Sequence, residues 1–226
     1  MRASIIIPTL DEAETIVSTL TALQAAREAG CEVIVADGGS ADGTPARCTG
    51  LVDRLLCAPS GRARQMNAGS ALASGEYLFF LHADTRLTIE HVGLAIRRLE
   101  EAGRAWGRFD IRLSGTHPLL RVIERLMNLR SRWSGIATGD QVLFVRRPVF
   151  ERVGGFAQIP IMEDIEVCKR LKRLGPPLCL RERVVTSSRR WERYGILRTI
   201  ALMWALRLGY FVGLSPRVLV RYYASR

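Results

Sequence analysis

The chain lacks the features that mark a disulfide scaffold, a zinc cluster, a base-stacking surface or a membrane span. Its five cysteines (Cys31, Cys48, Cys57, Cys168 and Cys179) are odd in number and include no CxxC pair, a pattern that fits a reducing cytosol. Aromatic residues make up only 7% of the 226 residues and are not interleaved with arginine, so a nucleic-acid platform is not expected. No charge-free apolar run approaches the ~20 residues that a membrane span needs. The most apolar stretch, Gly195 to Leu214, is interrupted by Arg198 and Arg207. On one continuous helix these two lie on opposite sides, so a helix packed on a sheet is expected there. Peripheral contact with a membrane surface, helped by Arg217, Arg221 and Arg226, is the competing reading. No charged region followed by an apolar core precedes the first strand, which predicts no signal peptide and a cytoplasmic location, or one at the inner membrane face. Linkers, repeats and low-complexity tracts are also missing, so residues 1–226 are expected to form one domain.

What is present is positive charge. The net +11 comes largely from arginine and predicts attraction to anions: nucleotide phosphates, acidic lipid headgroups or nucleic acid. Along the first half, apolar strand-like runs alternate with helical spacing. Strands are expected at Ser4 to Ile7, Glu32 to Ala36, Leu51 to Cys57 and Tyr77 to Leu81. Helices are expected behind a cap at Asp11, where Ile16, Leu20 and Leu23 recur, and over Arg62 to Ala73. Such alternation implies parallel βαβ units and an α/β, doubly wound, Rossmann-like sheet. In the second half, helices are expected at Thr88 to Ala102, Leu119 to Arg132 and Met162 to Leu174, and strands at Arg108 to Leu113 and Gln141 to Val145. The order of elements divides the chain into residues 1–86, residues 87–190 and a helical tail over 191–226.

Three acidic positions follow separate strands: Asp11 or Glu12, Asp37, and Asp84. A parallel sheet gathers such positions along one edge, where α/β ligands bind. Carboxylates brought together repel unless a cation sits among them, and Mg²⁺ or Mn²⁺ with phosphate oxygens is the common solution. His82, beside Ala83 and Asp84, either joins the metal, which would favour Mn²⁺, or simply packs. Gly61 opens a helix carrying Arg62 and Arg64, a phosphate-compatible arrangement that a solvated surface helix would equally display. Arg121, Arg125, Asn128 and Arg132 share one helical face that is either solvated or meets an acidic acceptor.

Ile7-Pro8-Thr9-Leu10-Asp11-Glu12, Val35-Ala36-Asp37-Gly38-Gly39-Ser40-Ala41-Asp42-Gly43-Thr44, Leu81-His82-Ala83-Asp84-Thr85 and Met162-Glu163-Asp164 stand in an informative order. In order and spacing they resemble family 2 glycosyltransferases over roughly residues 1 to 190. The likeness is greatest to a small soluble bacterial subgroup found beside arsenosugar or selenium-related genes. The resemblance implies a GT-A fold with a mostly parallel central sheet, a divalent cation, and a UDP- or GDP-sugar donor, with residues 1–86 as the nucleotide-binding half and 87–190 as the acceptor and catalytic half. It also implies inverting transfer of one sugar to an unknown small-molecule or lipid-linked acceptor. By position, Pro8, Thr9, Leu10, Glu12, Asp37, Arg62, Asn67 and Ala83 would border the nucleotide, and Asp84 would bind the metal with His82 beside it. Asp164 would be the general base. Gly139, Asp140, Gln141 and Glu163 would stand near the acceptor, and Arg190 and Trp191 near the donor phosphates. The chain departs from the family's pattern at His82, where a first Asp is common, and at Gly38, where a second Asp is frequent. It also lacks the full glutamine-bearing form of the Ser188-Arg189-Arg190-Trp191 element found in processive synthases, which implies single additions. A sugar-1-phosphate nucleotidyltransferase is the enzymatic alternative, although its glycine-rich, arginine-bearing first loop is missing. A methyltransferase is disfavoured on similar grounds, and a basic nucleic-acid or membrane-surface binding protein is the non-enzymatic reading.

Overall fold

The structure, a computed structural model, describes residues 3–224, so Arg226 lies outside the described residues. Strand β1 (Ala3–Thr9) leads through α1 (Ile16–Ala22) and α2 (Gln24–Glu28) to β2 (Glu32–Asp37), and α3 (Thr44–Cys48) leads to β3 (Arg54–Cys57). Helix α4 (Arg62–Leu72) then precedes β4 (Tyr77–Phe80), a short β5 (Thr85–Arg86) and α5 (Ile89–Glu101). The second half contains β6 (Trp106–Leu113), α6 (Pro118–Ser134), a 3-10 turn (Gly139–Gln141), β7 (Leu143–Arg146), α7 (Arg147–Arg152), α8 (Glu163–Lys172) and β8 (Leu178–Thr186). Helices α9 (Arg189–Tyr194), α10 (Ile196–Phe211) and α11 (Pro216–Ala224) complete the described chain.

All eight strands form one sheet in the order β3-β2-β1-β4-β7-β6-β8-β5. From β3 to β4 every pairing is parallel, as continuous β-branched and aromatic strands predict for a sheet covered on both faces. Beyond β4 the sheet is mixed: β7 runs antiparallel to both β4 and β6, while β6 and β8 pair in parallel. The carboxyl ends of β1, β4, β6 and β8 therefore all reach one edge. Apolar cores cover both faces. One contains Ile5, Ile7, Val33, Val35 and Phe79, and the other Ile6, Ile34, Leu78 and Phe80. Alternate residues of a strand point to opposite faces, and here both faces are buried. Helix α4 lies very close to β1, because a Cβ on Gly69 would come within 2.5 Å of Ile6 Cγ2.

Several sequence expectations change. The third strand starts at Arg54 rather than Leu51 and is mostly exposed at the sheet edge. Asp11 does not cap a helix. It adopts a left-handed backbone (φ 52°), accepts from the Ala41 amide at 2.8 Å through its side chain, and donates its own amide to Ser40 Oγ at 2.9 Å. The loops after β1 and β2 are thus stitched together. Strand β8, with charged Arg181, Glu182 and Arg183 in its middle, is an additional element. The segment around Gly195 to Leu214 is helical but does not simply pack on the sheet: Leu197, Trp204, Leu208 and Phe211 of α10 are exposed. No helix among the described residues is long and apolar enough to cross a membrane.

Of the arginine-bearing face of α6 only Arg125 is exposed, and the other three residues turn to the protein rather than to solvent or a ligand. Asn128 exchanges hydrogen bonds with the Ile111 amide (2.9 Å) and carbonyl (3.1 Å), Arg121 pairs with Glu124 at 3.0 Å, and Arg132 bonds to Asp110. Asp110 also receives the buried guanidinium of Arg108, whose Nη2 donates to the Asn128 carbonyl at 3.2 Å. Breaking a buried charge network from one side leaves an uncompensated ion. Asp110→Ala is therefore expected to lower unfolding free energy by about 3–5 kcal/mol, read from the urea midpoint. A shift below about 1 kcal/mol would show that Arg108 finds another partner or solvent.

Candidate active site

A cavity of about 600 Å³ opens at the shared strand-end edge. Its wall is built from Pro8, Thr9, Leu10 and Glu12 after β1, His82 and Asp84 after β4, and Ser60, Gly61, Arg62 and Gln65 at the start of α4. Opposite these stand Gly139 and Asp140 of the 3-10 turn, Glu163 and Asp164 of α8, and Arg190 and Trp191 of α9. Most of the residues singled out from sequence therefore meet around one space, although they come from opposite ends of the chain.

Four do not line it. Asp37 is buried, and both of its oxygens hold its own loop. They accept from Thr9 Oγ1 (3.0 Å), Ser40 Oγ (2.5 Å) and the amides of Gly39 and Ser40 (2.9 Å each). Burial pushes its pKa up, yet these hydrogen bonds outweigh it and leave the carboxyl below its ordinary value. Asn67 uses its amide on the backbone of Phe156, donating at 2.8 Å and accepting at 2.9 Å. Ala83 is buried and its carbonyl accepts from Thr19 Oγ1 at 2.6 Å. Gln141 is buried behind the turn, where its Oε1 accepts from the Thr138 amide at 3.1 Å.

The carboxylates that do reach the cavity are under-neutralised. Asp84 receives only a long contact of 3.4 Å from Thr85 Oγ1, and its pKa is raised by burial and by Glu12, with Asp140 adding to the effect. Asp140 Oδ1 is buried without a hydrogen-bond partner. Asp164 accepts from the Gly139 amide at 3.2 Å and from the Ile165 amide at 2.7 Å, and burial raises its pKa despite nearby Arg207 and Arg62. Glu163, 3.6 Å from Arg62, is pushed up to about 7 by burial and by its neighbour Asp164. Among the described residues no three His, Cys, Asp or Glu side chains form a ready-made metal cage. The donor set fits a hard divalent cation of the kind that takes one or two carboxylates and completes its shell with substrate phosphate and water.

His82 takes the packed alternative at its outer nitrogen. A Cβ on Gly139 would lie 2.0 Å from His82 Nε2, which is buried and without a partner, so the turn covers that atom. Burial, reinforced by Arg62, holds the imidazole well below its usual pKa and hence neutral.

Among the lining residues that escaped sequence reasoning, Gln65, Arg130, Arg207 and Tyr223 are polar groups that shape the site. Gln65 spans two strand ends, donating from Nε2 to the Thr9 carbonyl (2.7 Å) and the Ala36 carbonyl (2.9 Å). The glycine four residues later on the same helical face marks the side that meets the sheet, and that signal was available. Arg130 and Arg207 come from α6 and α10 and lie close enough that Arg207, after burial, lowers the Arg130 pKa to about 10. An arginine, Arg207, deep inside the apolar run of α10 was the visible sign. Tyr223 of α11 lies under Arg190, 4.0 Å from ring centroid to guanidinium carbon, and its hydroxyl accepts from Arg190. Arg189 reaches back to Glu12 at 3.2 Å and Glu14 at 3.4 Å, which ties the tail to the first loop.

Solved structures with the same architecture place it. A mannosyltransferase from Pyrobaculum calidifontis, in complex with GDP-Man and Mn²⁺, matches with a TM-score of 0.63 at 21% identity over 81% of this chain and 56% of its own. S. aureus TarS 1-349 in complex with UDP matches with a TM-score of 0.67 at 18% identity, over 83% of this chain and 60% of its own. The same protein with UDP-GlcNAc gives 0.62 at 16%, over 83% and 58%. This chain thus spans somewhat over half the length of these proteins. Their shared architecture defines the fold class as that of the GT-A glycosyltransferases. No curated protein matches the sequence. The model of glycosyl transferase family 2 matches residues 4–160, well over half the chain, and the chain belongs to that family.

The raised Glu163 pKa has a consequence for stability. Between the ordinary glutamate range and about 7, the native chain keeps a proton that the unfolded chain has released. Stability should therefore fall as pH rises through that window, by about 1–3 kcal/mol, and Glu163→Gln should flatten most of the slope. Urea midpoints measured across pH check this, and an equal slope in the variant would reject it.

Proposed function

We propose that this chain transfers one sugar from a nucleotide-diphosphate sugar to an acceptor hydroxyl with inversion at the anomeric carbon. The observation that carries the reading is the placement of Asp84 and Asp164 on one cavity, each with a raised pKa and with arginines interspersed. The donor enters along the loop after β1. Its diphosphate meets Arg62 and the unpaired amides at the amino end of α4, a favourable place for anions. The complexes of related folds with GDP-Man, UDP and UDP-GlcNAc support a GDP- or UDP-sugar.

The acceptor oxygen attacks the anomeric carbon as the bond from that carbon to the phosphate oxygen breaks, and the electron pair leaves with the nucleoside diphosphate. Asp164 takes the acceptor's proton. Its raised pKa suits it to that task, because a base is most effective when its pKa approaches the working pH. The Gly139 amide fixes one of its oxygens, so the carboxylate is oriented before the acceptor arrives. Asp84 would hold Mn²⁺ or Mg²⁺, with Asp140 beside it, and a bound cation supplies charge compensation to the departing diphosphate. Arg190, steadied by Tyr223, faces the same space and can meet the phosphates.

Asp164→Asn is expected to lower kcat by about 10²–10⁴-fold while leaving UDP or GDP binding within about twofold. Undiminished transfer would remove Asp164 as the base. In calorimetry, Asp84→Ala should abolish the gain in nucleotide affinity that Mn²⁺ gives the unaltered chain. Equal metal-dependent binding in the variant would reject that role.

A further inference from the structure

Helix α6 carries apolar residues on its outer face as well as its inner one. Leu119, Val122, Leu126, Leu129 and Trp133 recur at heptad spacing along one face, and all are exposed, Trp133 to 84%. The opposite face sends Leu120 and Ile123, together with Glu124, Asn128 and Ser131, into the interior. Helix α10 repeats the pattern with Leu197, Trp204, Leu208 and Phe211, between 63% and 72% exposed. At about 100° per residue, Arg198 and Arg207 stand on either side of that stripe. The two stripes reach one rim, since Leu126 and Trp204 both line the cavity mouth. Paired apolar stripes of this extent mark an interface rather than an ordinary surface.

Charge identifies the partner. After Glu192 the sequence contains no further acidic residue, whereas Arg193, Arg198, Arg207, Arg217 and Arg221 follow, all exposed except Arg207 at the cavity. Exposed Arg125 adds to this on α6. Tryptophan and aliphatic side chains flanked by arginine form the pattern of an interfacial helix, whose cations reach lipid phosphates beside its buried apolar face. A second copy of the chain would set the same cations against each other. Arg130 and Arg207 lie close together at the cavity, but Asp140 and Asp164 already stand beside them, so the cations left for lipid are the exposed ones, Arg125 on α6 and Arg198 on α10.

We propose that the face formed by α6 and α10 seats on an anionic bilayer surface, with the exposed Arg125 and Arg198 meeting lipid phosphate beside the rim of the cavity. Docking stands on the surface alone. Its consequence, that the acceptor hydroxyl is lipid-carried and enters from the membrane side, rests on the transferase reading.

The test uses the full chain without nucleotide sugar and phosphatidylcholine vesicles with or without phosphatidylglycerol. Co-sedimentation should require phosphatidylglycerol and weaken by about tenfold or more as salt rises to near 1 M. Combining Leu129→Ser, Trp133→Ser, Leu208→Ser and Phe211→Ser should reduce partitioning by about 10²-fold or more. None of these side chains lines the cavity, so Mn²⁺-dependent UDP or GDP binding in the variant should equal that of the unaltered chain, which also reports intact folding. Acyl chains brominated near the headgroup should quench tryptophan fluorescence, and less so in Trp133→Phe. Three results would overturn docking: no vesicle binding, binding that survives the four substitutions, or a concentration-dependent dimer that those substitutions dissolve. Vesicle binding without any nucleotide binding would instead remove the transferase reading and leave docking intact.

Discussion

The crevice depends on the tie between the ends of β1 and β2. Parallel pairing brings Thr9 opposite Asp37, the Thr9 hydroxyl donates to the Asp37 carboxylate, and the Gln65 amide bridges the carbonyls of Thr9 and Ala36 from above. These bonds are buried, where an unmade hydrogen bond costs more than it would at the surface. They hold two loops whose own purpose works against closure, because the adjoining wall carries Glu12, Asp84 and Asp140 with little to separate them. Asp37 thus does its visible work as an anchor of the loop from Gly38 to Ser40. The free surface of that loop is then available to a ligand.

Around the cavity, Glu12, Asp84, Asp140, Glu163 and Asp164 face Arg62, Arg130, Arg190 and Arg207. Arg62 stands 3.6 Å from Glu163, yet the signs are otherwise largely segregated by element. Acids cluster at the ends of β1, β4 and α8, and arginines arrive on α4, α6, α9 and α10. Burial raises the carboxyl pKa at Asp84, Glu163 and Asp164, and neighbouring carboxylates add to the effect. On the proposed reading, a ligand that brings phosphate and a cation together would answer both signs. Preorganised but unsatisfied charge is what a transferase needs if its interactions are to strengthen as the leaving group departs.

Much of this could be read from the chain because the signals were local. Continuous apolar runs such as Ile5-Ile6-Ile7 and Leu78-Phe79-Phe80 end abruptly in polar residues, which is enough to place strands and to say where their ends fall. The Glu163-Asp164 pair, the Asp84 terminus and the GT-A architecture followed from such spacing and from family likeness. What escaped was set by distant partners. Asp37 and Asn67 look like ligand groups in sequence but find their hydrogen bonds within the fold, Asp37 from two hydroxyls and two amides and Asn67 on the backbone of Phe156. The polar face of α6 suggests solvent until Arg108 and Asp110 of β6 lie beneath it. Strand β8 is hidden by Arg181 and Arg183, which project to solvent from an edge region. The antiparallel insertion of β7 between β4 and β6 likewise has no local mark.

The contact between Gly139 and His82 has a consequence of its own. One belongs to the loop that orients Asp164 and the other to the strand end that presents Asp84, and they touch with no space for even a methyl group. The distance between the turn beside Asp164 and the strand end at Asp84 is therefore set by the outer edge of the His82 ring, whose Nε2 and Cε1 lie nearest Gly139. Such a spacer is indifferent to ionic strength and, with the imidazole held neutral, to ordinary acidity. A different ring at position 82 or any side chain at 139 would reset that distance and, on the proposed reading, the reach between donor and acceptor.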